Sequence, residues 1–295
     1  MTFKSGFVCL VGRPNTGKST LLNAFVGQKV AITSDKPQTT RSAVRGILNV
    51  DGAQVVFIDT PGYHKPRNLL GERLNDVVRN VWSDVDVGVF LVDAASGVGR
   101  GDARVAQDLA QARVPMICAV NKIDRARRQD VVVALSAAAE LGDFEEIVPI
   151  SARTKEGVDL LASLILERLP EGPMFYPDDT STDQPPPVFV AELVREKLLA
   201  RTKEELPHSI AVMIEDYEER EDGLLWIQAR IFVERNSQKG IVIGKGGHVL
   251  KEAGTEAREE IETFFGRKVY LDLQVKVEKD WQRRGYALDR LGFGE

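Results

Sequence analysis

The sequence predicts an α/β domain with a mostly parallel sheet and helices on both faces, followed by a smaller α+β domain of order α-β-β-α-α-β. Three observations carry this prediction. Between Phe7 and Leu169 the apolar runs FVCLVG, VVFID, VGVFLVD, PMICAVN and EIVPIS alternate with helix-period patterns, which argues a parallel sheet. Residues 170–187 then hold six prolines and show no amphipathic period. Beyond them the order of elements changes.

In the first part, helices are expected near 18–26, 69–82, 102–112, 128–141 and 157–168. The run SAVRGILNV is separated from GAQVVFIDT by Asp51-Gly52, a hairpin signal, so one sheet edge should be antiparallel. In the second part a helix (FVAELVREKLLA) precedes two strands (SIAVMIEDYEE and LLWIQARIFVE) joined by a turn at Asp222-Gly223. A short apolar segment, GKGG, a helix and the strand KVYLDLQVKVE follow. The domain expectation is therefore 1–170, a proline-rich linker at 171–187, and 188–295.

Composition narrows the classes. The chain has 295 residues, 43% hydrophobic and 28% charged, the balance of a globular protein with room for two cores. No apolar run reaches the roughly 18 residues of a membrane span, and the start MTFKSGFVCLVG lacks the order of a signal peptide, so a cytoplasmic location is expected. Cys9 and Cys118 each sit in an apolar strand run and read as core residues. The net charge of −5 argues against a generic basic nucleic-acid binder.

The first strand runs into GRPNTGKS, Gly12 to Ser19, and then into a helical pattern. A glycine-rich loop between strand and helix turns backbone N–H groups toward one point, and the helix dipole adds positive potential there, so the loop suits phosphates. Gly12, Asn15, Thr16, Gly17, Lys18, Ser19 and Thr20 are the phosphate candidates. Lys18 would reach the β and γ phosphates, and the Ser19 hydroxyl would hold Mg²⁺.

A phosphate loop does not name the base. Asn121-Lys122-Ile123-Asp124 follows the strand PMICAV. A carboxylate at Asp124 can accept from guanine N1–H and the exocyclic amine together, a donor pair that adenine lacks. Asn121 would tie this loop to the phosphate loop, the Lys122 stem would lie along the purine, and Ser151-Ala152 would place a backbone N–H on guanine O6. Asp59-Thr60-Pro61-Gly62 ends the strand VVFID: Asp59 would meet Mg²⁺ through water, and the Gly62 N–H would meet the γ phosphate. Thr40, in KPQTTR, would complete the Mg²⁺ shell when the γ phosphate is present. Five elements in this order, each at a strand's C-terminal end, specify a P-loop GTPase domain that binds GTP and GDP.

In the second domain, Gly244-Lys245-Gly246-Gly247 lies between apolar Ile241-Val242-Ile243 and a longer helix. Such a GxxG loop in this element order reads as a KH domain, which clamps about four nucleotides of single-stranded RNA by their backbone. Residues 188–295 hold 18 Lys/Arg against 21 Asp/Glu, a net of −3, so any RNA contact must be local. Cations gather at Arg235, Lys239, Lys245, His248 and Lys251, with Lys276 on the last strand, and bases would be read against the apolar residues.

On these motifs the chain resembles the translation-factor-related GTPases and, within them, the Era family of bacterial ribosome-assembly GTPases. The resemblance spans essentially the whole chain, including VERNSQKG and the tail WQRRGYALDRLGF. It implies recognition of the 3′ end of 16S-type rRNA, a role in 30S subunit maturation and a monomeric state; peripheral membrane association is implied by analogy only. GTPases similar to this one use a phosphate-loop asparagine to bind K⁺, which makes Asn15 the K⁺ candidate. Tyr63 stands where many GTPases carry a water-orienting glutamine, work an aromatic ring cannot do. Trp82, Trp226 and Trp281 read as core or tail packing, and His64 and His208 lack partners at metal spacing. Two rival readings stand beside the first: a GTPase that modifies RNA or reports on membranes, with a protein-binding C-terminal domain, and an RNA-binding scaffold that holds GTP without turnover.

Overall fold

The computed structural model describes all residues except 1, 83, 111–113, 203–205 and 295, and only the backbone of Pro207 and His208. Two compact units partition the chain. The first comprises Met1–Ala31, Thr40–Arg67 and Gly71–Asp183; the second comprises Ile32–Thr39, Asn68–Leu70 and Gln184–Glu295.

In chain order the first unit's elements are β1 (Lys4–Gly12), α1 (Lys18–Val26), β2 (Val44–Val50), β3 (Ala53–Asp59), α2 (Leu69–Trp82), β4 (Val87–Asp93), α3 (Arg100–Leu109), β5 (Met116–Asn121), α4 (Arg128–Ala139), β6 (Glu146–Pro149) and α5 (Val158–Arg168). The six strands form one sheet in the order β2-β3-β1-β4-β5-β6. Only the β2–β3 pair is antiparallel, turning at Gly52 with its φ of 74°. Period-two alternation along β1 sends Val8 and Leu10 into one core and Cys9 and Val11 into the other. Both faces are therefore covered, and β3 and β4 are buried at every residue. The helix expected over 102–112 runs from Arg100 to Leu109, and its expected end at 111–112 lies outside the described residues.

The proline-rich stretch is not a free tether. Buried Gln54 accepts the N–H groups of Phe175 and Tyr176 at 2.7 and 3.0 Å and donates to the Tyr176 carbonyl at 2.8 Å. Ile47 donates its N–H to Ser181 at 2.8 Å, and Arg45 pairs with Asp183 at 2.8 Å. These bonds fasten residues 175–183 along the β2–β3 side of the first unit.

The second unit continues with α6 (Pro186–Arg201), α7 (Leu206–Ser209), β7 (Ala211–Glu219), β8 (Leu225–Val233), α8 (Asn236–Ile243), α9 (His248–Phe265), β9 (Val269–Val277) and α10 (Gly285–Arg290). The helix α6 begins inside the expected linker because Pro186 and Pro187 take its first turn, where a missing N–H costs nothing. The sheet order is β7-β8-β9, antiparallel then parallel. Leu225, Ile227 and Ile231 of β8 face a core shared with α6, α8 and α9, so this sheet is covered on one face. Trp281 is fully buried and donates its indole N–H to the Ser209 carbonyl at 3.1 Å. Trp82 is a core residue as well. Trp226 is not: it lies half-buried on the opposite side of β8 from Leu225 and Ile227. Residues Ile32–Thr39 pack within this unit: the Thr33 N–H donates to Glu196 at 2.8 Å, and buried Arg195 donates to the Thr39 carbonyl.

Candidate functional site

In the first unit, the loops leaving the C-terminal ends of β1, β3, β5 and β6 gather the motif residues on one edge of the sheet, where open α/β sheets bind ligands. Gly12 has φ of 153°, and a Cβ there would lie 2.5 Å from the Leu91 carbonyl oxygen. Gly17 has φ of 100°, and a Cβ there would meet Asn121 Nδ2 at 2.3 Å. Only glycine fits either position. The loop thus turns tightly into α1.

Lys18 and Asp59 are both buried beneath this loop. Burial pushes the Lys18 ammonium below its ordinary range, against the countervailing pull of Asp59, and pushes the Asp59 carboxyl up, against Lys18, Ser19 and Thr40. The Lys18 ammonium donates to the carbonyls of Gly12 and Arg13 at 3.3 and 3.1 Å. One oxygen of Asp59 accepts the Ser19 hydroxyl at 2.6 Å and the Thr40 hydroxyl at 3.2 Å, and those two hydroxyls are 2.9 Å apart. Its other oxygen, Oδ1, is buried without a hydrogen-bond partner. A carboxylate with one unsatisfied oxygen beside two hydroxyls is a set of hard oxygen donors, which suits Mg²⁺. Among the described residues no group of three His, Cys, Asp or Glu could hold a metal.

Asn121 braces two loops. Its amide donates to the Thr16 carbonyl at 2.8 Å, and its side-chain oxygen accepts the Ala152 N–H at 3.0 Å. Lys122, at φ of 67°, bridges the Asn15 carbonyl at 2.5 Å and Asp93 at 2.7 Å. Burial raises Asp93, but Lys122 and the N–H groups of Ser96 and Ala95 outweigh it and hold the carboxyl below its ordinary range. Asp124 accepts the Ser151 hydroxyl at 2.7 Å. The Ser151 N–H is donated to the Glu156 carbonyl at 2.9 Å and the Ala152 N–H to the Asn121 side-chain oxygen, which sets Ser151-Ala152 beside Asn121 and Asp124. Thr20 lies half-buried in the first turn of α1, and Asn15 is exposed with φ of 65°.

Two features escaped the sequence reading. Arg13 pairs with fully buried Asp102 at 2.7 Å and donates to the Gly97 carbonyl at 3.1 Å, which fixes the phosphate loop to the start of α3. Asp102 also accepts the Gly99 N–H at 2.9 Å. An Arg in GRPNTGKS and an Asp 89 residues later carry no local signal of pairing. Tyr63 is 8% exposed, with its ring in the α2–α3–α4 core and its N–H on the Gly12 carbonyl at 3.2 Å. Burial and a hydrogen bond to Asp108 raise its hydroxyl above the ordinary range.

In the second unit Gly244, Gly246 and Gly247 have φ of 74°, 63° and 80°, and a Cβ at Gly246 or Gly247 would meet nothing within 4 Å. The loop is therefore open on its outer side, with Lys245 and Lys251 exposed and Lys239 half-buried. Ile241 is 55% exposed and Ile243 half-buried, but Val242 is 0% exposed and belongs to the core. In α8 Val242 is turned inward, whereas Ile241 stands on the outer side. Beside the loop a groove of about 340 Å³ is lined by Gly247, Leu250, Lys251, Gly254, Thr255, Arg258, Leu271 and Leu273. Gly254, in the interior of α9, is the signal that could have found it. Glycine there costs about 0.5–1 kcal/mol relative to alanine, and its missing side chain leaves Leu273 room, since a Cβ would approach that leucine to 2.9 Å.

The 50S ribosome-binding GTPase family matches residues 7–122, and the KH domain family matches residues 205–282. GTPase Era of Mycobacterium tuberculosis (strain ATCC 25618 / H37Rv) is 52% identical over 297 residues, covering 99% of each chain. GTPase Era of Mycolicibacterium smegmatis is 51% identical over 296 residues, again with 99% coverage of each. Among solved structures, Aquifex aeolicus Era Y63A bound to GDP·AlF4⁻ is 40% identical with a TM-score of 0.95, covering 99% of this chain and 100% of that one. Era in complex with MgGDPNP and nucleotides 1506–1542 of 16S ribosomal RNA is 40% identical with a TM-score of 0.96 and the same coverage. With a P-loop GTPase unit, a KH unit and full-length identity of this order, the chain belongs to the Era family of GTPases.

Proposed function

We propose that this GTPase binds GTP with Mg²⁺, hydrolyses it to GDP and phosphate, and binds single-stranded 16S-type rRNA through the GKGG loop and its groove during maturation of the 30S subunit. The observation that carries the reading is the pairing in one chain of buried Lys18 and Asp59, bonded to the half-buried hydroxyls of Ser19 and Thr40, with an open, glycine-lined loop beside a groove lined by both leucines and basic side chains. An Era structure solved with MgGDPNP and 16S nucleotides supports the choice of both ligands.

In this reading the N–H groups of the phosphate loop and the start of α1 cradle the phosphates, and Lys18 turns from loop carbonyls to phosphate oxygens. Ser19 and Thr40 hold Mg²⁺ directly, and Asp59 holds it through water. The cation supplies counter-charge to the phosphate oxygens and polarises the terminal phosphoryl group. Gly62 presents its N–H to the γ phosphate, Asn121 and Lys122 shape the base cleft, and Asp124 selects guanine. Thr40 directly follows the segment Ile32–Thr39, which packs in the second unit, so ordering of Thr40 by the γ phosphate gives nucleotide state a route to RNA affinity. Lys239, Lys245 and Lys251 meet RNA phosphates, while Leu250, Leu271 and Leu273 back the bases.

Base selection is tested with Asp124→Asn. The amide can donate to the C2 carbonyl of xanthine, so GTP affinity should fall about a hundredfold or more while xanthosine triphosphate affinity rises. Unchanged GTP preference in a competition assay would remove Asp124 from base recognition. For the RNA site, Gly246→Asp places bulk and negative charge where a phosphate approaches. RNA affinity in filter binding should drop about tenfold or more with GTP binding intact, and equal affinity contradicts the RNA site.

The Tyr63 ring is engaged in the core, and no arginine finger is identifiable from the sequence, so charge developing between the β and γ phosphates calls for a counter-charge beside Lys18 and Mg²⁺. Asn15 is the residue that would hold K⁺, through its side-chain carbonyl, and the ion would supply positive charge beside the phosphates. GTP hydrolysis should be about tenfold faster in K⁺ than in Na⁺ at equal ionic strength, and Asn15→Ala should abolish the difference. Equal rates of the parent in both salts end the proposal.

A further inference from the structure

Strand β9 serves two faces of the second unit. Leu271 and Leu273 point to the groove and the helices, whereas Tyr270, Asp272 and Gln274 alternate to the other side of the sheet. On that outer face Tyr270 is 52% exposed and is the register partner of Trp226 on β8. The two rings lie 7° from parallel with centroids 6.3 Å apart. With Arg220 and Leu224 they border a shallow hollow of about 310 Å³ that also includes Asp272. Its size suits one or two long side chains and not a folded domain.

The charge around the rings decides what such a hollow accepts. Glu218 sits beside Trp226 in the register, and Asp216, Gln228 and Asp272 form the neighbouring row across the three strands. Glu215 and Glu219 are already paired, with Arg230 and Arg267, at 2.5 Å each. Asp216 and Glu218 are exposed and make no ion pair among the described residues, and Asp272 accepts only the amides of Gln228 and Gln274, at 3.2 and 3.0 Å. A nucleic acid stacking on these rings would bring its phosphates against three carboxylates. A cation would find aromatic faces bordered by negative charge. The chain itself displays that chemistry: the Arg220 guanidinium lies over the Trp226 ring, 5.3 Å from its centroid.

We propose that the Trp226–Tyr270 face is a docking site for an arginine-bearing, basic polypeptide segment of a partner protein, on the side of the sheet opposite the RNA groove. Arg220 occupies one ring in the free chain and gives way to, or is joined by, the arginines of the partner. RNA and the basic segment therefore bind together without competing.

The probe is a fluorescein-labelled ten-residue peptide of alternating arginine and glycine, titrated into the full chain loaded with GDP and read by anisotropy. Trp226→Leu and Tyr270→Leu should each weaken binding about two- to fivefold, and together about tenfold. Tyr270→Phe should keep parental affinity, because the ring and not the hydroxyl does the binding. The exposed pair Asp216→Asn and Glu218→Gln should weaken binding and flatten its salt dependence. Arg220→Ala should hold or raise peptide affinity, and single-stranded RNA affinity should stay parental in all of these variants. Equal peptide affinity of the parent and the Trp226/Tyr270 double variant overturns the proposal. So does a loss of RNA affinity in that double variant with peptide binding unchanged, which would make the face a base-stacking surface instead.

Discussion

Two opposite charges held out of water, Lys18 and Asp59, set the terms for the first unit. An isolated ion in a protein interior costs several kcal/mol even after relaxation, so each must be met by polar partners brought from elsewhere in the chain. Lys18 draws the carbonyls of Gly12 and Arg13 over itself, which is why the loop closes so tightly that Gly12 and Gly17 admit no side chain. Asp59 draws in hydroxyls from α1 and from the Thr40 segment. The cluster remains incomplete on one side, at Asp59 Oδ1.

The rest of the nucleotide edge holds that cluster in place. Asn121 ties the β5 loop to the phosphate loop and to Ala152, and Arg13 ties the same loop to α3 through a buried carboxylate. These braces are distant in sequence and short in space. They let four separate loops act as one rigid cradle, which a reaction dominated by positioning and electrostatics requires. The second unit uses the opposite strategy. Its GKGG loop is open, its groove is shallow, and its local lysines act within a domain of net negative charge.

Much of this was legible in the residues. Strand runs buried on both faces stand out as unbroken apolar stretches, and glycines at the loop positions announced backbone geometry that other residues resist. What stayed hidden depended on the third dimension. The apolar triplet Ile241-Val242-Ile243 gives no hint of which member turns inward until α8 forms and buries Val242. Gln54, polar in an apolar strand, fastens residues 175 and 176 of the proline-rich stretch, a pairing that no local pattern signals. Trp226 reads as core by its chemistry, yet strand alternation places it on the outer face. The fold class needed only patterns, whereas these placements depended on which neighbour each residue meets.

The central claim is that Thr40 completes the cation shell only with a γ phosphate, so that the segment before it reports nucleotide state. Hydrogen–deuterium exchange over residues 32–41, with the full chain loaded in Mg²⁺ with GDP or with a non-hydrolysable GTP analogue, tests it most directly. Clearly slower exchange is expected in this segment with the analogue, an effect lost in Thr40→Val. Identical exchange in the two nucleotide states would contradict it.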